Sequence, residues 1–145
     1  MDWVDHARRD LAAAGFRSGG AREAVLRLLA EQPCCLSAQQ IFDRLRARSE
    51  SVGLASVYRA LDALATLQLV RRVDVDGTAC YEPAHPSGHH HHHARCDACG
   101  TLAAFEDDAL EDAIEAIGAR LGYRLDAHEV VLRGVCPGCT TRGSR

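Results

Sequence analysis

The chain has 145 residues, 47% of them apolar, and a formal net charge of −3 at neutral pH. That apolar fraction excludes wholesale disorder, and the near-balanced charge excludes binding to nucleic acid through bulk positive potential. No apolar run approaches the roughly 18 residues of a membrane-spanning helix, and the N-terminal MDWVDHARRD lacks the apolar core of a secretory signal, so a soluble cytoplasmic protein with no membrane partner is expected.

Residues 3–14 read as a short helix ending at Gly15. AREAVLRLLAEQ (21–32) places Ala24, Val25, Leu28 and Leu29 on one face, and Pro33 should stop it. A further helix starts in LSAQQIFDRLRARS, with Ser37 as N-cap and Ile41, Phe42 and Leu45 facing a core. GLASVYRALDALATLQLV (53–70) carries Val57, Leu61, Leu64 and Leu67 at helical spacing. VRRVDVDGTACYEP then reads as a β-hairpin turning at Asp76-Gly77.

Three amphipathic helices and a hairpin follow the order of a winged helix-turn-helix, with helix 53–70 as the major-groove reader and the hairpin as the wing. Residues 1–84 hold 11 Arg against 11 acidic residues, so any DNA-binding surface there is a local patch. AHPSG reads as a hinge. Beyond it, strands at HHHHARC and TLAAF, a helix at DDALEDAIEAIGARLG and a strand at YRLDAHEVVLRGVC form a second unit, small enough to need a staple. The expected fold class is α+β: an N-terminal winged helix-turn-helix domain (1–83), a hinge (84–89) and a small C-terminal α/β metal-binding domain (90–145) with structural zinc.

Cys96-x-x-Cys99 and Cys136-x-x-Cys139 are two Cys-x-x-Cys knuckles, which supply the four soft ligands of a closed tetrahedral zinc site. The competing reading, one redox-active pair, leaves the second matched pair unexplained. In the run of five histidines, strand alternation sends His90 and His92 one way and His91 and His93 the other, with His89 as a bystander. Glu111 and His128 are candidate partners for the first face. Cys80, Glu82, His85 and Cys35 are candidates for the second. Cys34 reads as a small buried hydrophobe, a reading that stays open for Cys35 and Cys80 as well.

SAQQIFDRL, GLASVYRALDAL, CYE, HHHHARCDACG and YRLDAHEVVLRGVCPGC together resemble the ferric uptake regulator family over residues 8–139. The resemblance implies a homodimeric, metal-dependent transcription factor that binds an inverted-repeat DNA operator and is not an enzyme, and it makes residues 90–145 the dimerisation domain. It implies structural zinc at Cys96, Cys99, Cys136 and Cys139, and a second metal site at His90, His92, Glu111 and His128. A regulatory hinge site would take Glu82, His91, His93 and Cys35, with Cys80 or His85 as alternative donors. Ser56, Tyr58 and Arg59 are similar to the family's DNA-contacting residues, and Arg17 and Arg22 match basic positions near the first helices.

Two departures bear on the metal. Cys35 stands where iron and peroxide sensors commonly have His, which tilts the hinge toward Zn²⁺ over Fe²⁺, and the family's frequent acidic ligand falls on Ala104. Against the zinc branch, its actinobacterial type has Cys at the position of Ala84 and Asp at that of Arg71. The sequence reading is thus a zinc-dependent repressor of metal-uptake genes, with an iron-responsive repressor as the alternative. A metal-storage or metallochaperone protein leaves the SVYRAL helix unexplained, and a hydrolytic metalloenzyme lacks any His-Glu-x-x-His or comparable signature.

Overall fold

The structure is a computed structural model and describes residues 2–17, 19–32, 34–85 and 90–143. Pro33, His89 and the centre of the expected hinge lie outside the described residues. The chain divides into two compact units, Met1–His89 and His90–Arg145.

In the first unit, α1 (Trp3–Ala13), α2 (Gly20–Glu31), α3 (Ala38–Ala47) and α4 (Leu54–Thr66) pack around one apolar core. Val25, Leu26, Leu28, Ile41, Val57, Leu61 and Leu64 are fully buried in it. Helix α3 begins with a capping box: Ser37 Oγ accepts the Gln40 N–H, and the Ser37 N–H donates to Gln40 Oε1. Trp3 Nε1 donates to the Leu69 carbonyl at 2.9 Å, fastening α1 to the start of the sheet.

That sheet has the order β1-β3-β2, formed by β1 (Leu36–Ser37), β2 (Val70–Val75) and β3 (Thr78–Pro83), all antiparallel. Asp76 and Gly77, at φ 56° and 81°, make the two-residue hairpin turn that needs positive φ at both positions. Strand β1 was not expected: its two residues are too few to leave a periodic signal. Helix α4 stops at Thr66 rather than Val70, because Gln68 turns the chain at φ 57° and Leu69 donates back to the Leu64 carbonyl.

The second unit is a three-stranded sheet of order β5-β4-β6 with one long helix. Strand β4 (His92–Cys96) pairs antiparallel with β5 (Leu102–Phe105) and parallel with β6 (Val131–Gly134). Helix α5 (Asp108–Leu121) joins β5 to β6; Asp107 caps it by accepting the Leu110 N–H at 3.0 Å, and Gly122, at φ 75°, ends it. The final strand is shorter than expected. Residues 123–130 are irregular and fold back on α5, with Leu125 so close to Gly118 that a Cβ there would lie 2.7 Å from Leu125 Cδ1. Strand β4 likewise begins at His92 rather than His90. A short helix α6 (Pro137–Gly143), unanticipated from sequence, opens with proline at its first position, where the missing N–H costs nothing.

The two units differ sharply in their interiors. Every residue of the contiguous apolar core belongs to the first unit. Among the described residues of the second, the buried side chains are those of His92, His93 and Cys96, while Ile117, Leu121, Tyr123, Leu125, Leu132 and Val135 are exposed. No described helix is long and apolar enough to cross a membrane.

Candidate metal centres and nucleic-acid face

Cys96 ends β4, Cys99 closes the turn after it, and Cys136 and Cys139 flank the start of α6. Their four sulfurs lie within 4.8 Å of one another. Cys99 Sγ and Cys136 Sγ are 3.8 Å apart, matching the edge of about 3.8 Å that a tetrahedron with metal–sulfur bonds of about 2.3 Å requires. Cys96 Sγ accepts the N–H groups of Cys136 at 3.3 Å and Cys99 at 3.4 Å, and these donors lower its pKa to about 6. Hydrogen bonding between Cys99 Sγ and Thr101 Oγ1, 3.1 Å apart, lowers that of Cys99. The Cys136 and Cys99 sulfurs push Cys139 up to about 12. Sulfurs this close raise the cost of charging one another. A dication is the charge the quartet lacks, and the donor set fits zinc.

At the opposite end of β4 from Cys96, His90, His92, Glu111 and His128 converge. His90 Nε2 and His128 Nε2 are 3.2 Å apart, close to the edge of about 3.3 Å expected for imidazoles on one tetrahedral zinc ion. Glu111, in the first turn of α5, places Oε1 2.5 Å from His92 Nε2 and Oε2 2.6 Å from His128 Nε2. The hydrogen bond to His92 chiefly holds the Glu111 carboxyl below its ordinary pKa. His92 Nδ1 accepts the Val130 N–H at 3.2 Å, which fixes the ring. Three imidazoles and a carboxylate fit zinc, iron(II) or manganese(II). His128 takes part although it precedes β6 rather than lying on it.

The residues assigned to the hinge site lie in both units. In the second, His93 is buried within β4, and His91 Nε2 pairs with Glu106 Oε1 at 2.8 Å. Glu106 was missed from sequence. It follows β5 at the same parity as Ala104, so the carboxylate absent from position 104 stands two residues on, opposite His91; the register argument that divided the histidines also reaches it. In the first unit, Glu82 is buried on β3 beside its cross-strand partner Arg71, their side chains 3.5 Å apart. Cys35 is buried, and the neighbouring thiols of Cys34 and Cys80 hold its proton on well above the ordinary thiol range. Cys34, read from sequence as a buried hydrophobe, is only half-buried. His85 is exposed.

Helix α4 buries Val57, Ala60, Leu61 and Leu64 and turns Tyr58 and Arg59 outward, with Tyr58 49% exposed. Arg59 Nη2 donates to Ser56 Oγ at 3.0 Å, so these three residues form one polar patch near the start of the helix. Arg17 is exposed, and Arg22 stacks on Phe16, 4.7 Å from its ring centroid, while donating to the Arg17 carbonyl at 2.9 Å.

A winged helix with a polar, outward-facing fourth helix, in one chain with a thiol quartet and a histidine–glutamate cluster, defines a metal-responsive DNA-binding transcription regulator rather than an enzyme. The family model for the ferric uptake regulator family matches residues 13–133. The chain belongs to that family. It is 31% identical over 139 residues to the ferric uptake regulation protein of Bacillus subtilis (strain 168), covering 94% of this chain and 93% of that one. It is 35% identical over 130 residues to the zinc uptake regulation protein of Mycobacterium tuberculosis (strain H37Rv), covering 89% and 98%. The crystal structure of the Vibrio cholerae ferric uptake regulator superposes with a TM-score of 0.76 at 31% identity, covering 89% of this chain and 98% of that one.

Proposed function

We propose that the chain is a cytoplasmic, homodimeric, zinc-responsive repressor of metal-uptake genes. The observation that carries the DNA-binding part is α4, one face of which is fully buried while Ser56, Tyr58 and Arg59 form a polar patch on the other. Arg59, Arg17 and Arg22 would neutralise phosphates or enter a groove, and Tyr58 would pack against thymine methyl groups. Cys96, Cys99, Cys136 and Cys139 would hold structural zinc; His90, His92, Glu111 and His128 would hold a second ion. The regulatory site would draw Glu82 and Cys35 from the first unit and His91 and His93 from the second, with Cys80 or His85 as alternative donors.

A divalent cation at the regulatory site supplies the positive charge that ligands from both units share. Ligands so shared would set the two recognition helices of a dimer one helical repeat of B-DNA apart, roughly 34–36 Å. Linkage makes the effect mutual, since metal that tightens DNA binding is itself held tighter on DNA. Homodimerisation is supported by the six large apolar side chains exposed on the second unit. Zinc over iron is supported by the Cys35 thiol and by the 35% identity to the zinc uptake regulation protein. The histidine–glutamate cluster and the 31% identity to the ferric uptake regulation protein favour an iron-responsive reading as the second choice.

Mobility shift on upstream regions from the source genome tests both. Retardation that appears with zinc and is lost in Arg59→Ala and His93→Ala supports the proposal. Retardation by iron(II) alone transfers it to the second reading. Absence of retardation under every metal overturns the regulator assignment.

A further inference from the structure

In the first unit, the end of α1, the start of α2 and the connection between them line a cavity of about 250 Å³. Leu11, Ala12 and Phe16 give it an apolar lining. Arg8, Arg17, Arg22 and Glu23 give it a charged one. Arg8 is paired with Glu23, its Nε donating to Oε1 at 3.0 Å, and Arg17 is exposed to water. The Arg22 guanidinium is fixed in place: it stacks 4.7 Å from the Phe16 ring centroid, and its Nη1 donates to the Arg17 carbonyl at 2.9 Å. Its Nε is the single buried side-chain nitrogen or oxygen without a hydrogen-bond partner among the described residues. A charged donor withdrawn from water is unfavourable unless an acceptor answers it.

The lining selects the chemistry of the missing acceptor. One unanswered guanidinium calls for one negative charge, and its planar fork of N–H groups matches a carboxylate. Leu11, Ala12 and Phe16 offer nothing to a strongly hydrated inorganic ion and suit a hydrocarbon body instead. Size narrows the choice further. An apolar cavity of about 150 Å³ holds benzene. One of about 250 Å³ therefore takes a single ring with a small polar substituent. We propose that this cavity binds a small monocarboxylate with an apolar body, of the dimensions of benzoate, its carboxylate on the Arg22 guanidinium. The site is separate from every metal centre described above. It meets the proposed function in one consequence alone: Arg17 and Arg22 are assigned there to DNA, so an occupied cavity weakens operator binding.

The test is a heteronuclear NMR titration of the full-length, zinc-loaded protein with sodium benzoate. The amides of Leu11, Arg17 and Arg22 should shift and saturate at one ligand per chain. Benzamide, with the same ring and no charge, should bind at least tenfold more weakly, and inorganic phosphate should not displace benzoate at equal concentration. These three probes use the wild-type protein, so the comparison requires no variant to fold. Arg22→Gln should weaken benzoate binding at least tenfold. Ala12→Phe, at an exposed position of the lining, fills the cavity while keeping every arginine and should abolish binding. Shifts that do not saturate, benzamide binding as tight as that of benzoate, or full binding by Ala12→Phe would each overturn the proposal. Displacement by phosphate would overturn it in favour of a DNA phosphate at the same guanidinium. Normal benzoate binding that leaves zinc-dependent DNA retardation unchanged would uphold the cavity and overturn the DNA contacts assigned to Arg17 and Arg22.

Discussion

Replacing Cys96 with serine should dismantle the second unit while sparing the first. Cys96 is the buried member of the quartet, and its two amide donors lower its pKa to about 6, favouring the thiolate that zinc binds. A serine hydroxyl at this position stays protonated and is a poor zinc ligand. Structural zinc sites of this type bind with roughly 10–16 kcal/mol, or about 2.5–4 kcal/mol for each of four ligands. Loss of one share corresponds to a zinc affinity about 10² to 10³ lower. Among its described residues the second unit has no buried apolar core to absorb that loss, whereas α1 to α4 keep theirs. Competition against a chromogenic zinc chelator, followed by thermal unfolding, should show weakened zinc, an early transition for residues 90–145, and a late one that remains. Zinc affinity within tenfold of wild type, or a single unshifted transition, would refute the argument that thiolates rather than apolar packing hold this unit together.

Trp3→Phe removes the donor to the buried Leu69 carbonyl and should cost the first unit about 1–3 kcal/mol in urea unfolding, a loss absent if that carbonyl finds water instead. Hydrogen bonding from Arg8 holds Glu23 below the ordinary carboxylate pKa, so this pair's contribution is present above the ordinary value and lost as pH falls through the lowered one. Wild type should therefore lose its melting-temperature advantage over Glu23→Gln on acidification below about pH 4, and a constant difference would remove Glu23 as the cause. Arg59→Ala should weaken operator binding and reduce the slope of log affinity against log salt by about 1 per protomer; an unchanged slope would mean that Arg59 meets no phosphate. Leu121→Asp, at a residue 62% exposed on α5, should shift the protein toward monomer in sedimentation, since a two-fold interface repeats the charge twice, and an intact dimer would place the interface elsewhere.

The helical unit was legible because each of its helices carries a strong periodic face, and the hairpin because Asp76-Gly77 encodes its turn. The quartet was legible because a Cys-x-x-Cys pair has few other uses. The convergence of His90 with His92 followed from strand parity, even though β4 begins two residues late, because extended backbone before a strand alternates as the strand does. What stayed hidden depends on contacts rather than patterns. Residues 123–136 alternate enough to suggest one strand, but Leu125 folding over Gly118 diverts the first part. Glu106 has no meaning until β5 places it across from His91, and Cys34 reads as a hydrophobe until its sulfur meets that of Cys35.

The histidine run is buffered against a one-residue change of length and exposed to a change of identity. Strand β4 is hydrogen-bonded along both edges, so its register is fixed by β5 and β6 together. Exchanging one side chain in the run removes one donor. Deleting one of the five identical residues leaves histidine at each of the four positions before Ala94, because each upstream histidine slides into a place that another histidine held. For this protein the harmful genetic event at residues 90–93 is therefore an exchange of side chain rather than the loss of one repeat unit, and the fifth histidine of the run is the spare that absorbs such a loss.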